Sequence, residues 1–183
     1  MSNSAPGHKA ILGTVALAFV LIFISSFVYR VQNPSLTIQR QVEQQSGAAP
    51  MEMIGQLMRK LEQDPKNVST LRSLGRAFMS MQAWQRAASF WQRLLEVEPD
   101  NNSAAHQLAM CYFRMEEYSQ AVTVLKRIID IDSNDYYAHY NLGVLYKHYL
   151  DKADKAEEHL QVIVKAKDAK EELRQEAQKE LGK

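Results

Sequence analysis

A spacing of 34 residues recurs along the chain and constrains it more than any other feature. With Val68 as position 1, Leu71, Leu74, Gly75, Phe78, Ala87, Trp91, Leu94 and Pro99 fall at positions 4, 7, 8, 11, 20, 24, 27 and 32. Counting again from Asn102, the same positions hold Ala105, Leu108, Ala109, Tyr112, Ala121, Leu125, Ile128 and Ser133, and position 17 is aromatic in both units, Trp84 and Tyr118. A third unit from Tyr136 places His139, Leu142, Gly143 and Tyr146 in register. One inserted residue near Leu150 to Lys152 then brings back Ala156, Leu160 and Ile163. Apolar residues recur at spacings of 3 and 4, which is helical, and no window alternates long enough to make a strand. Each unit reads as two antiparallel helices. Gly75, Ala109 and Gly143 on one helix, and Ala87, Ala121 and Ala156 on the other, let the axes approach, while Leu74, Phe78 and Trp91 and their equivalents fill the space around them. One helix pair cannot cover its own apolar face, so the units must stack.

This pattern resembles the tetratricopeptide repeat (TPR) over about Val68 to Lys167. The resemblance implies an all-α fold: an α-solenoid of about three TPR helix pairs with N- and C-terminal capping helices. The boundaries expected are 51–67 for the N-terminal capping helix, then 68–101, 102–135 and 136–168 for the repeats, and 169–183 for the C-terminal capping helix. In residues 51–62 the stripe Ile54, Leu57, Met58 and Leu61 suits a one-sided helix ended by Asp64-Pro65. At the other end, AKEELRQEAQKEL (169–181) is charge-rich, with a thin stripe at Leu173, Ala177 and Leu181, and is expected to face solvent.

Ahead of the repeats lie a short head (1–10), an uncharged apolar run (11–29, ILGTVALAFVLIFISSFVY) and a Gln-rich linker (30–50). As a helix the run would measure about 28 Å, close to the ~30 Å hydrocarbon core of a bilayer, so a single-pass transmembrane helix is expected. It is longer than a signal-peptide core and no Ala-x-Ala follows it. A short head with a long C-terminal part favours a translocated, periplasmic repeat domain, although the flanking cations, Lys9 against Arg30 and Arg40, are nearly balanced.

Several functions are excluded or disfavoured. The 22 Lys and Arg balance 21 Asp and Glu, which gives no electrostatic case for nucleic acid. Cys111 is the single cysteine. It rules out a disulfide framework, a multi-Cys metal site and covalent c-type haem, and it reads as a small apolar filler. No phosphate loop, Gly-x-Ser-x-Gly or His-Glu-x-x-His occurs, so no enzymatic activity, no catalytic residue and no cofactor is expected. His106 and Met110, four apart, have the makings of a haem axial pair, but a plain helix surface accounts for both. His139, His148 and His159 show no spacing suited to a shared metal.

A binding scaffold remains. In TPR proteins the first helix of each unit lines a concave groove through positions 2, 5, 9, 12 and 13. The resemblance therefore implies groove residues Ser69, Arg72, Arg76, Met79 and Ser80 from the first unit. It implies Ser103, His106, Met110, Phe113 and Arg114 from the second, and Tyr137, Tyr140, Val144, Lys147 and His148 from the third. The set holds four basic side chains, three aromatics and no carboxylate, although residues 51–183 carry 19 basic and 20 acidic residues. Such a face suits a peptide or protein segment with a carboxylate-bearing end. Arg72 and Arg76 stand where a chaperone-type carboxylate clamp would have Lys and Asn, so that clamp is not expected.

The order of anchor, tether, then Ile54, Leu57, Leu61, Pro65, Asn67 and Leu74, Gly75, Arg76, Phe78 is similar to membrane-anchored bacterial cytochrome c biogenesis TPR proteins. That similarity implies apocytochrome c, or a haem-attachment complex, as the partner. A TPR adaptor of envelope assembly or secretion and a purely structural subunit of a membrane complex are the alternatives.

Overall fold

A computed structural model describes residues 51–182. The head (1–10), the expected membrane span (11–29) and the linker (30–50) lie outside the described residues. Among the described residues no helix is long and apolar enough to cross a membrane.

The described residues fold as eight helices with no strand. They are α1 (residues 51–63), α2 (Val68–Ser80), α3 (Trp84–Val97), α4 (Asn102–Arg114), α5 (Tyr118–Ile131), α6 (Tyr136–His148), α7 (Ala153–Lys165) and α8 (Glu171–Glu180). Neighbours in sequence from α2 onward pack against each other, and α6 also touches α8.

The 34-residue period is visible in the helix starts. Before each first helix stands an Asn or Asp whose side chain accepts the backbone N–H three residues on: Asn67 from Thr70, Asn101 from Ala104 and Asp135 from Ala138. Each satisfies one of the donors that a helix start leaves orphaned. The two helices of a unit are then joined by a short turn. In the first two units Gln82 (φ 57) and Glu116 (φ 62) take the left-handed conformation, and the N–H groups of Ala83 and Glu117 return to the carbonyls of Phe78 and Tyr112, five residues back. In the third unit the turn carries one more residue. There Asp151 is left-handed (φ 50) and Lys152 N–H reaches Tyr146 O, six residues back. The inserted residue is absorbed in the loop, so α7 keeps its face to the core.

The core falls into two clusters, a larger one from Ile54 to Ala156 and a smaller one of Leu160, Ile163, Ala169 and Ala177. Trp91, Leu71, Leu74, Leu94, Leu125, Ile128, Leu142, Leu160 and Ile163 are the largest fully buried apolar side chains, with Ala87, Ala121 and Ala156 buried between helices. The close approaches are tight. A Cβ on Gly75 would stand 2.6 Å from Trp91 Cε2, and one on Gly143 would stand 2.6 Å from Leu160 Cγ. Ile54 and Leu61 of α1 join the larger cluster.

Two features were not apparent from sequence. Arg93 and Arg127, 34 apart, donate to the Pro65 and Pro99 carbonyls of the preceding loops, each at 3.1 Å. His139 and His159 meet, with their Nδ1 atoms 3.1 Å apart. Twenty residues separate them in sequence, but the helix pair of the third unit folds one onto the other.

Candidate functional site

The groove residues sit on α2, α4 and α6, and their surroundings differ from unit to unit. Arg72 is half-buried and Arg76 exposed, and neither makes an ion pair among the described residues. Ser69 donates to the capping oxygen of Asn67 at 2.7 Å. Met79 is drawn toward the core, where its sulfur accepts the Trp91 indole N–H at 3.3 Å.

The second unit is more committed. His106 Nε2 lies 2.8 Å from Asp135 Oδ2, and that carboxylate also caps α6. His106 is thereby tied across the unit boundary. Met110 stays 43% exposed. Phe113 sits edge-on to Tyr149 with centroids 5.0 Å apart and packs near Tyr118 at 5.9 Å. The Arg114 guanidinium lies 5.5 Å from the Trp84 ring, a cation–π distance.

In the third unit the last helix comes into the site. Tyr137 is 51% exposed, with the Lys170 ammonium 5.6 Å from its ring. Tyr140 Oη donates to Glu176 at 3.1 Å, and burial together with that carboxylate pushes the phenol up to about 12. Lys147 Nζ lies 3.1 Å from Glu180 Oε2 and also donates to the Glu180 backbone carbonyl, while His148 Nε2 is 2.8 Å from the same Oε2. The hydrogen bond from His148, then that from Lys147, holds the Glu180 carboxyl below its usual range against partial burial.

The assembled face does carry carboxylates, from Asp135, Glu176 and Glu180, none of which lies at a groove position of the repeat. The last helix keeps its thin inward stripe: α8 packs chiefly on α7, with Ala177 fully buried and Leu173 and Leu181 half-buried, and its Glu176 and Glu180 reach donors of α6. The i, i+4 spacing of Glu176 and Glu180 was the available sequence signal.

Between α4 and α6 opens a cavity of about 290 Å³, lined by Ala109, Met110, Phe113, Tyr140, Asn141, Val144 and Leu145, together with Leu125 of α5 and Glu180 of α8. It offers an apolar seat flanked by charge. Among the described residues no group of three or more His, Cys, Asp or Glu side chains could hold a metal ion. Cys111 is fully buried, and burial pushes its thiol up to about 11, so it is not a reactive thiolate.

Comparison with known proteins follows the same lines. The family profile described as anaphase-promoting complex, cyclosome, subunit 3 matches residues 80–163. The crystal structure of MamA superposes with a TM-score of 0.61 at 23% identity, covering 76% of this chain and 89% of that one. The chain has a TPR-like helical-repeat fold. A second MamA structure, residues 41 to the end from Desulfovibrio magneticus RS-1, gives a TM-score of 0.55 at 22% identity, covering 67% of this chain and 70% of that one. The first TPR of Spaghetti (RPAP3), bound to the HSP90 peptide SRMEEVD, gives 0.55 at 16% identity, covering 65% of this TPR-like chain and 94% of that one. No curated protein matches the sequence.

Proposed function

We propose that this TPR-like scaffold holds a carboxylate-bearing peptide or protein segment in the groove formed by α2, α4 and α6, and that it works without catalysis. The observation that carries this reading is the pair Arg72 and Arg76. Two guanidinium groups one turn apart on a groove helix, without a carboxylate partner among the described residues, leave charge-assisted donors open to a ligand. The apolar cavity between α4 and α6 gives the same ligand an anchor point, and the peptide in the RPAP3 structure is itself acidic.

The finer role follows from the order of the chain. The uncharged run 11–29 would tether the scaffold to a membrane, with the repeats in the periplasm. The similarity to cytochrome c biogenesis TPR proteins makes the C-terminal segment of an apocytochrome c, presented to a haem-attachment complex, the partner to try first.

Titration of the full-length chain in detergent with C-terminal apocytochrome peptides and with SRMEEVD tests both levels. Arg72→Ala with Arg76→Ala should weaken the peptide that binds by ~1–3 kcal/mol for each charge-assisted hydrogen bond removed, whereas Lys126→Ala on α5 should not. Binding should also weaken as salt rises, since partly exposed ion pairs are screened. Equal affinities for the groove and control variants would sink the groove assignment. Binding of SRMEEVD without any apocytochrome peptide would remove the cytochrome role alone.

A further inference from the structure

We infer that α8 occupies the third unit's share of the groove as an in-cis stand-in for the partner, and that the segment replacing it is an acidic helix with two carboxylates one turn apart. This rests on the groove reading above and deepens it by naming the ligand's chemistry at one end of the site.

The polar side chains that hold α8 are groove side chains, while its buried Ala177 packs with Leu160 and Ile163 of α7. Tyr140 is at position 5 of its unit, where the earlier units have Arg72 and His106, and Lys147 and His148 are at positions 12 and 13. All three are engaged by α8, Tyr140 by Glu176, and Lys147 and His148 by Glu180. Glu176 and Glu180 are four apart and so share a helix face. The chain thus displays what this part of the groove accepts: a helix lying beside α6 with one carboxylate on a phenol and the next on a cationic pair. Glu180 also lines the cavity between α4 and α6, so a helix in that seat is next to an anchor site.

The hold on α8 is shallow. Ala177 is its one buried side chain, Leu173 and Leu181 are half-buried, and its ion pairs are partly exposed, where such pairs exchange readily with water. It has ten residues and no side-chain N-cap, whereas α2, α4 and α6 are each capped by Asn or Asp. A helix this short does not persist alone. Its advantage is the tether, which raises its effective concentration at the seat and lowers the apparent affinity of any competitor.

The test uses the full-length chain and a fluorescein-labelled peptide of residues 169–182, AKEELRQEAQKELG, as the acidic helical probe. Ala177→Gln adds neutral bulk at the buried contact of α8 and loosens it without changing charge. By fluorescence anisotropy the probe should bind this variant at least tenfold more tightly than the wild type. A probe carrying Glu176→Gln and Glu180→Gln should bind it at least fivefold more weakly. Hydrogen exchange on the wild type should show α8 amides exchanging at least a hundredfold faster than those of α6 and α7. Should Ala177→Gln misfold, the full chain with Glu176→Gln and Glu180→Gln takes its place, with the same tightening expected. Equal affinity for wild type and variant, no binding to either, indifference to the probe's carboxylates, or α8 amides as protected as those of α7 would each overturn the inference. If the Arg72/Arg76 dependence persists in that case, the groove reading stands without the in-cis role.

Discussion

A methyl group on Gly75 has no room, because its carbon would stand 2.6 Å from the Trp91 ring, a rigid and fully packed neighbour. Gly75→Ala gains up to ~1 kcal/mol in helix propensity but forces overpacking that costs ~1–3 kcal/mol. The net expectation is a decrease of about 1 kcal/mol in stability, read as a lower urea midpoint. That the position must be small was legible from the repeat, because Gly75, Ala109 and Gly143 recur in register. The meeting of His139 and His159 was not legible, since nothing in a spacing of twenty reports how the side chains of facing helices turn toward each other. Burial lowers both histidines below their ordinary value, so the folded state resists the protons that the unfolded chain accepts. Because the native pKa is depressed, the stability from this pair is fully present above pH 6.5 and is lost as pH falls through the lowered native values. Urea unfolding between about pH 7.5 and 5 should show the decline, and His139→Gln with His159→Gln should flatten it. An undiminished slope in that variant would assign the proton uptake elsewhere.

Helix ends carry much of the specification between units. Asn67→Ala removes a cap that accepts Thr70 N–H at 3.0 Å and Thr70 Oγ1–H at 2.9 Å, and should cost ~1 kcal/mol. Thermal unfolding followed by circular dichroism would read it. Glu116 sits at φ 62, where a side chain is strained and glycine is not, so Glu116→Gly should stabilise by ~0.5–1 kcal/mol. A fall in melting temperature would mean that the flexibility glycine adds to the unfolded chain outweighs the strain it relieves. The inserted residue of the third turn was legible as a slip in the pattern, and the structure confines it to the loop ahead of α7. The seating of α8 was legible only in part. Its thin stripe at Leu173, Ala177 and Leu181 marked one inward face, but which helix would receive its carboxylates depends on the path of residues 166–170, and no periodicity encodes that.

The stack should unfold as a coupled array, since each unit buries its apolar face only against its neighbours. Ala121 is fully buried in the middle unit, so Ala121→Leu adds methylenes where no volume is free, at ~1–3 kcal/mol. The destabilisation should spread to both flanking units, read as faster amide exchange in α2 and α6 as well as α5. Exchange confined to α5 would mean that the units open independently. The same repetition conceals a difference in the joints. Position 8 is Gly where position 24 is Trp91, Ala where it is Leu125, and Gly again, after the slip, where it is Leu160. The units are therefore keyed rather than interchangeable bricks. Shuffling their helices would set a tryptophan against a methyl group in one order and leave a void in another. A builder who lengthened or reordered this array would have to move each small residue together with its large counterpart, as a lock travels with its key.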